Sequence, residues 1–292
     1  MPSSEGPTVA LIGPLDTKRA EYLLFAQLLQ DACTKRKLRA KVLMLDTSTD
    51  KDYWSKEPQE SDAAWAIRKP TDILREAAEE TNALPTLERQ QLNDLMREGC
   101  IKLLQQTRKD GNLHGICSIG GSQTTSLACS VMRDASFKIG LPKMAVTTMM
   151  SGGVAEFIGE SDILCMPSIV DISGQLNKIS RTIIQNAAAA LAGMAVAQFE
   201  NEANAADDDK SGDRPAVAIS MFGLTTPCVQ TAMKLLDKAG YEPVVFHATG
   251  AGGRTMERLI SEQVRDARSL AIFESLLMQL LCHHSISPVS WI

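Results

Sequence analysis

Short runs of contiguous apolar residues alternate along this chain with longer stretches of helix-like sequence. Thr8 to Ile12 and Ala40 to Asp46 read as buried strands. The second carries Val42-Leu43-Met44-Leu45, apolar on both faces, as a parallel strand covered from both sides requires. Further strands are predicted at Ile116 to Ile119, Lys143 to Thr147 and Ile163 to Met166, then at Ala216 to Phe222 and Pro243 to Phe246. Between them the pattern predicts helices at Thr17 to about Lys37, Asp72 to Glu80, Thr86 to Lys109, Ser122 to Met132 and Asn177 to Glu200. Two more follow, at Pro227 to Ala239 and from Gly253 onward. Strands separated by helices favour a mostly parallel sheet with right-handed crossovers, an α/β Rossmann-like architecture.

The hand-overs share one grammar: the apolar run breaks into Gly, Ser and Thr, and the next element begins. This occurs at Gly13 to Lys18, Gly120 to Ser126, Thr147 to Gly153, Phe222 to Pro227 and Thr249 to Arg254. Glycine lets the backbone approach a ligand, and free N–H groups at a helix start attract anions. The run Gly120-Gly121-Ser122-Gln123-Thr124-Thr125-Ser126 is the best cradle, offering hydroxyls and successive N–H groups straight after a strand. Lys18 would neutralise phosphate in the same crevice, and Asp16 would accept from a hydroxyl or a metal. The rival reading makes Asp16 or Thr17 the helix cap and Lys18 part of a solvated face. Neither G-x-x-x-x-G-K-[ST] nor G-x-G-x-x-G is present, so the loops indicate an anion site without naming its ligand.

Ser48 to Pro70 is polar and long for a bare connection, which suggests a flap, with Tyr53, Trp54 and Trp65 anchoring it to the core. Phe199 to Pro215 gathers Glu200, Glu202, Asp207, Asp208, Asp209 and Asp213 against Lys210 and Arg214, as in a solvated linker. The domains are therefore expected at 1–200 and 215–292, with an acidic linker at 201–214. The second unit looks unfinished, since two strands are too few for an independent sheet. Leu270, Ile272, Leu276, Leu277, Leu280 and Leu281 are expected on a helix that covers that short sheet or a dimer mate.

Composition narrows the function. A chain of 292 residues, 44% hydrophobic and 22% charged, is that of a globular protein. A net charge of −5 gives no basic footprint for nucleic acid. No uninterrupted apolar run approaches the ~20 residues that cross a bilayer, so no membrane partner is expected. The first residues lack the basic and apolar regions of a signal peptide, and a cytoplasmic location is the default. The 7 cysteines are scattered and form no C-x-x-C pair, so neither a disulfide framework nor a metal site is expected. Cys228, beside Pro227 at a helix start, is the thiol where a thiolate would be stabilised, with ordinary packing the preferred reading. Asp162 and Asp171 flank a strand, where structural capping is preferred over a Mg²⁺ or acid/base pair, and His247 before a glycine-rich turn reads equally as an anion donor or a satisfied buried histidine.

These loops resemble those of the widespread family that includes the tomato mosaic virus resistance protein, often described as ATP-binding. Gly13 to Lys18 is similar to its G-T-x-D-T-K, with Pro14 in place of threonine. Gly120-Gly121-Ser122 is similar to its G-G-S-G-G-T, with Gln123 and Thr124 in place of the later glycines. Thr148, Ser151-Gly152, Ser161-Asp162, Ser168 to Ile172, Met221 to Pro227 and Phe246 to Arg254 extend the match to about Ile260. The resemblance implies two Rossmann-like domains, ATP with or without Mg²⁺ in the N-terminal one, and homodimerisation. It assigns the ligand to Gly13, Asp16, Thr17, Lys18, Gly120, Gly121, Ser122, Thr124, Thr125, Thr148, Ser151 and Gly152. A second candidate site comprises Thr225, Thr226, His247, Thr249, Gly250, Gly252, Gly253 and Arg254. Ser261 to Ile292 does not look like the family's continuation, which suggests a truncated product. The leading expectation is a nucleotide-binding protein with a regulatory or assembly role. Its rivals are an enzyme acting on a phosphorylated or carboxylated small molecule in an interdomain cleft, using Asp16, Lys18, His247 and Arg254, and an inactive interaction module.

Overall fold

The computed structural model describes residues 4–56, 65–78, 88–149, 153–205, 214–265 and 270–272. They fall into two units, Met1–Asp209 and Lys210–Ile292. In the first, β1 (Ser4–Gly13), α1 (Leu15–Thr34), β2 (Leu38–Asp46), α2 (Lys51–Lys56), β3 (Ala66–Arg68), α3 (Pro70–Ala77) and α4 (Arg89–Lys109) come first. They are followed by β4 (Gly115–Gly120), α5 (Ser122–Met132), β5 (Lys143–Thr147), α6 (Ala155–Ile158), β6 (Leu164–Pro167) and α7 (Lys178–Ala205). The strands form one sheet in the order β3-β2-β1-β4-β5-β6, and every pairing is parallel. This is a Rossmann-like α/β fold.

Strand periodicity divides the core into two layers. Val9, Leu11, Cys117, Ile119, Met144 and Val146 pack on one face with α1 and α7, whereas Ala10, Ile12, Ile116 and Ala145 pack on the other with α3, α4 and α5. Trp65 packs on the first layer and Trp54 on the second, so both indoles anchor their segment to the core as expected. The rest of the expected flap, 57–64, lies outside the described residues.

Helix α7 buries Ile184, Ala187, Ala188, Leu191, Ala192, Ala195 and Val196. That 3–4 spacing is the stripe of a core-facing helix. Among the described residues it is the one helix long and apolar enough to cross a membrane, although no single apolar run in it stood out. It extends into the stretch read as linker, to Ala205, and 206–213 lie outside the described residues.

In the second unit β7 (Ala216–Met221) is followed by a short 3₁₀ turn (Gly223–Thr225), α8 (Thr226–Lys238), β8 (Glu242–His247), α9 (Ala251–Arg265) and β9 (Leu270–Ile272). The strands pair in parallel as β8-β7-β9, with Val217, Ile219 and Val229 buried beside them. Leu270 and Ile272 therefore lie on a strand and not on the expected helix. Without β9 one edge of β7 would carry unpaired backbone groups, and the crossover through α9 delivers the next apolar run to that edge in parallel. Leu276, Leu277, Leu280 and Leu281 lie outside the described residues.

Candidate functional site

In this sheet chain order reverses between β1 and β4: from β1 the chain winds outward through β2 and β3, then returns to place β4 on the other side of β1. The connections diverge there and leave a crevice at the carboxyl ends of the strands. The β1–β4 ladder ends at Ile12 and Ser118. Above it the phenol of Tyr22 takes over, donating to Ile12 O at 2.6 Å and accepting the Ile119 N–H at 2.9 Å. Tyr22 is fully buried, and burial, opposed by its bond to Ile119, holds its pKa well above the ordinary phenol value. A Cβ on Gly13 would stand 1.7 Å from the Tyr22 oxygen. Gly13 thus has a packing role beneath the site.

Two loops border the crevice. Pro14, Asp16, Thr17 and Lys18 after β1, and Gly121, Ser122, Gln123 and Thr124 after β4, line one cleft of about 340 Å³ together with Thr49 and Arg89. The fold so brings together the two sequence-predicted loops. Their helix starts differ in kind. At α1 neither Asp16 nor Thr17 caps the helix; Pro14 holds that position without a side-chain bond. The exposed N–H groups are satisfied from the β2 loop, with Leu15 N–H donating to Asp46 Oδ1 at 2.9 Å and Asp16 N–H to Ser48 Oγ at 3.0 Å. Asp46 also accepts from Ser48 N–H, from the Ser48 hydroxyl and from Tyr53, and both Asp46 and Ser48 are wholly buried. An internal carboxylate therefore occupies the anion position of α1.

Helix α5 is open. Gly121 caps it with no side-chain bond, and the first intrahelical donor is Thr125, to Gly121 O. The N–H groups of Ser122, Gln123 and Thr124 have no acceptor inside the helix. Thr124 is 8% exposed, and its hydroxyl has no partner among the described residues. Thr125 turns inward to Gly121 O and Thr147 Oγ1, so it holds the turn in place and lies away from the cleft lining. A Cβ on Gly120 would meet Thr124 at 2.5 Å, so that glycine also serves packing. At Gly121 a Cβ would find, among the described residues, only Thr148 Oγ1, at 3.6 Å. Ser151 and Gly152 lie outside the described residues.

The electrostatics of the cleft follow from Lys18 and Arg89. Arg89 Nη2 donates to Gln123 Oε1 at 2.7 Å, so the side chain that stands where the family's motif has glycine ties α4 to the cradle. Among the described residues Asp16 Oδ1 is buried without a partner, and its carboxylate is the acidic group of the lining. A second cleft, also about 340 Å³, opens at the ends of β5 and β6 between Thr147, Thr148 and Pro167 to Asp171.

The other expectations resolve as follows. Asp162 is an ion-pair partner at the far ends of the strands: Lys143, fully buried, donates to its Oδ1 at 2.6 Å, and Gly140 N–H donates to Oδ2. Burial works against the charge, but these bonds hold the carboxyl below its usual range. Cys117 is buried and its thiol pushed up by burial, while Cys129 is pushed up to about 12. In the second unit His247 Nδ1 approaches Met221 O at 3.2 Å, and its ring stacks on Phe222 at 6.0 Å. Gly252 lets α9 close on β8, since a Cβ there would stand 1.8 Å from His247 O. The Thr225 hydroxyl closes its own turn on Phe222, and Thr226, Thr249, Gly250, Gly253 and Arg254 surround the starts of α8 and α9. Asp46, Ser48, Thr49, Arg89 and, apart from the Thr147–Thr148 loop, the lining of the second cleft were missed as parts of the site. Asp46-Thr47-Ser48 carries the same strand-end signal as the five loops, whereas Arg89 opens a helix far along the chain and carries none.

The pattern of the uncharacterised protein family UPF0261 N-terminal domain matches residues 7–200, and that of its C-terminal domain residues 214–268. The ToMV resistance protein Tm-1(GCR237) of Solanum lycopersicum is 34% identical over 261 residues, 88% of this chain and 33% of that protein. A UPF0261 protein of Clostridium tetani is 41% identical over 167 residues, 57% of this chain and 39% of that protein. The chain thus spans about a third of the length of these relatives. Among solved structures, the UDP-GlcNAc 2-epimerase of Neisseria meningitidis overlaps 93% of this chain and 72% of its own at 11% identity, with a TM-score of 0.29. A likeness at that level carries no weight for function.

Proposed function

We propose that this chain, which belongs to the uncharacterised protein family UPF0261, binds a phosphate-bearing nucleotide, with ATP the leading candidate, in the cleft between the β1 and β4 loops. One observation carries the reading: Lys18 and Arg89 line a cleft whose floor is the uncapped start of α5. A helix N-terminus with free N–H groups is a ready anion site, and two cations beside it suit a multiply charged one. The residues fit the ligand. Ser122, Gln123 and Thr124 offer N–H donors, the unpartnered Thr124 hydroxyl offers another, and Asp16 Oδ1 stands ready for a hydroxyl or a Mg²⁺-bound water. The start of α1 does not compete, because Asp46 already fills it. The nucleotide supplies a charge that this chain reads for regulation or assembly, and binding is its activity.

A calorimetric titration of the full chain with ATP and Mg²⁺ tests this directly. Lys18→Met should weaken ATP roughly tenfold or more, the worth of a charge-assisted hydrogen bond of about 1.5–3 kcal/mol. Adenosine should be far less affected. Gly121→Val should block the backbone approach in a folded protein, since the space at Gly121 is open on the cleft side. Unchanged ATP affinity in both variants would overturn the assignment, and steady ADP release would convert the reading from binding protein to enzyme.

A further inference from the structure

The two ends of the phosphate cleft carry different residues. Toward β2, where doubly wound sites commonly hold a ligand's ribose with an acidic residue, the acidic residue is Asp46. Its carboxylate is wholly buried and engaged by Leu15, Ser48 and Tyr53, so it is not presented to sugar hydroxyls. Toward β5 the described residues leave the space beside Gly121 open. Gly121 has no side chain, Thr148 Oγ1 is the nearest atom to where its Cβ would be, and Thr148 belongs to the second cleft.

That second cleft has its own chemistry. The Thr148 hydroxyl has no partner among the described residues, and Asp171 commits one oxygen to the Ile172 N–H at 2.9 Å, leaving the other. Between them Ile169 holds φ at 63°, a left-handed conformation that a β-branched residue adopts only under constraint. The constraint is visible: Val170 N–H donates to Ser168 O and Ser168 Oγ to Val170 O, and the Ile169 side chain is left 76% exposed. Each cleft alone is near the low end of the ~300–1,000 Å³ that small-molecule sites occupy, which is room for part of a nucleotide.

We propose that a ligand whose phosphates sit at α5 extends over Gly121 into the cleft between β5 and β6. There Asp171 and Thr148 hydrogen-bond a polyhydroxylated sugar, and Ile169 covers its apolar face. The ligand therefore runs away from β2. This rests on the phosphate reading above and adds the direction and the sugar-recognising residues.

Calorimetry on the full chain with two probes, ATP and inorganic tripolyphosphate, tests it. Asp171→Ala and Thr148→Val should each weaken ATP roughly three- to tenfold, the net worth of one hydrogen bond. Tripolyphosphate, which never reaches that cleft, should bind both variants as it binds the unaltered chain. Thr49→Val, on the β2 side of the phosphate cleft it lines, should affect ATP and tripolyphosphate alike. Equal loss of both probes in Asp171→Ala, no loss of either, or a selective loss of ATP in Thr49→Val would overturn the direction while the phosphate site stands. An unaltered chain that binds neither probe would remove the phosphate reading and this one with it.

Discussion

Replacing Tyr22 with phenylalanine removes a single oxygen from the point where the sheet divides. That oxygen bridges β1 and β4 above the last rung of their ladder, donating to Ile12 O and accepting from Ile119 N–H. The ring itself, packed among α1, β1 and β4, stays in place, so no cavity larger than a hydroxyl forms. The loss is therefore that of buried hydrogen-bonding groups left unpaired. An orphaned donor in the dry interior costs about 1–3 kcal/mol, and the carbonyl, with a second lone pair, adds less. Tyr22→Phe should destabilise the first unit by about 2–3 kcal/mol. Urea unfolding followed through Trp54 and Trp65, both in that unit, reads it as a lower midpoint at unchanged slope. Because the same oxygen fixes the spacing of the two cleft loops, ATP affinity should fall as well. A change below about 0.5 kcal/mol would show that the phenol bridge is dispensable and that the strand ends are held by their packing alone.

Other outcomes follow from the same geometry. Gly120→Ala should disturb the cradle more than Gly121→Ala, because its methyl would overlap Thr124 at 2.5 Å whereas that of Gly121 stays clear at 3.6 Å; comparative ATP titrations read the difference. His114 accepts the Thr8 N–H at Nδ1 and faces Glu202 at 3.4 Å, and burial, only partly opposed by Glu202, lowers its pKa. The unfolded chain then binds the extra proton first, so stability should fall as pH drops from about 6.5 through the lower folded value. His114→Gln should flatten that slope in pH-dependent melts. Lys143→Met removes a fully buried ammonium that serves Lys138 O, Leu141 O and Asp162. Breaking such a pair costs about 3–5 kcal/mol when both partners are buried, and Asp162 is 34% exposed, so the lower figure is expected in denaturant melts.

Local pattern was enough for most of the longer elements, whereas β3, inside the stretch read as a flap, was missed. Lys143 to Thr147 and Ser122 to Met132 stand where apolar runs and small-residue breaks placed them, because strand and helix periodicity are properties of neighbouring residues. The two cleft loops were legible for the same reason: each is a contiguous run at a strand end. Leu270 to Ile272 was misread because a three-residue strand has too few positions to show a period, and its conformation is decided by the unpaired edge of β7. What the α1 turn can bind depends on Asp46, thirty-one residues after the Leu15 it serves. Gly13 looked like a ligand glycine until Tyr22 came to lie against it. The chain's order of residues determined which segments form strands, helices and small-residue turns. Only the tertiary fold decided which helix start was already filled, which remained open to an anion, and that Arg89 and Lys18 share one cleft, since those contacts join positions that strand order, not sequence distance, makes neighbours.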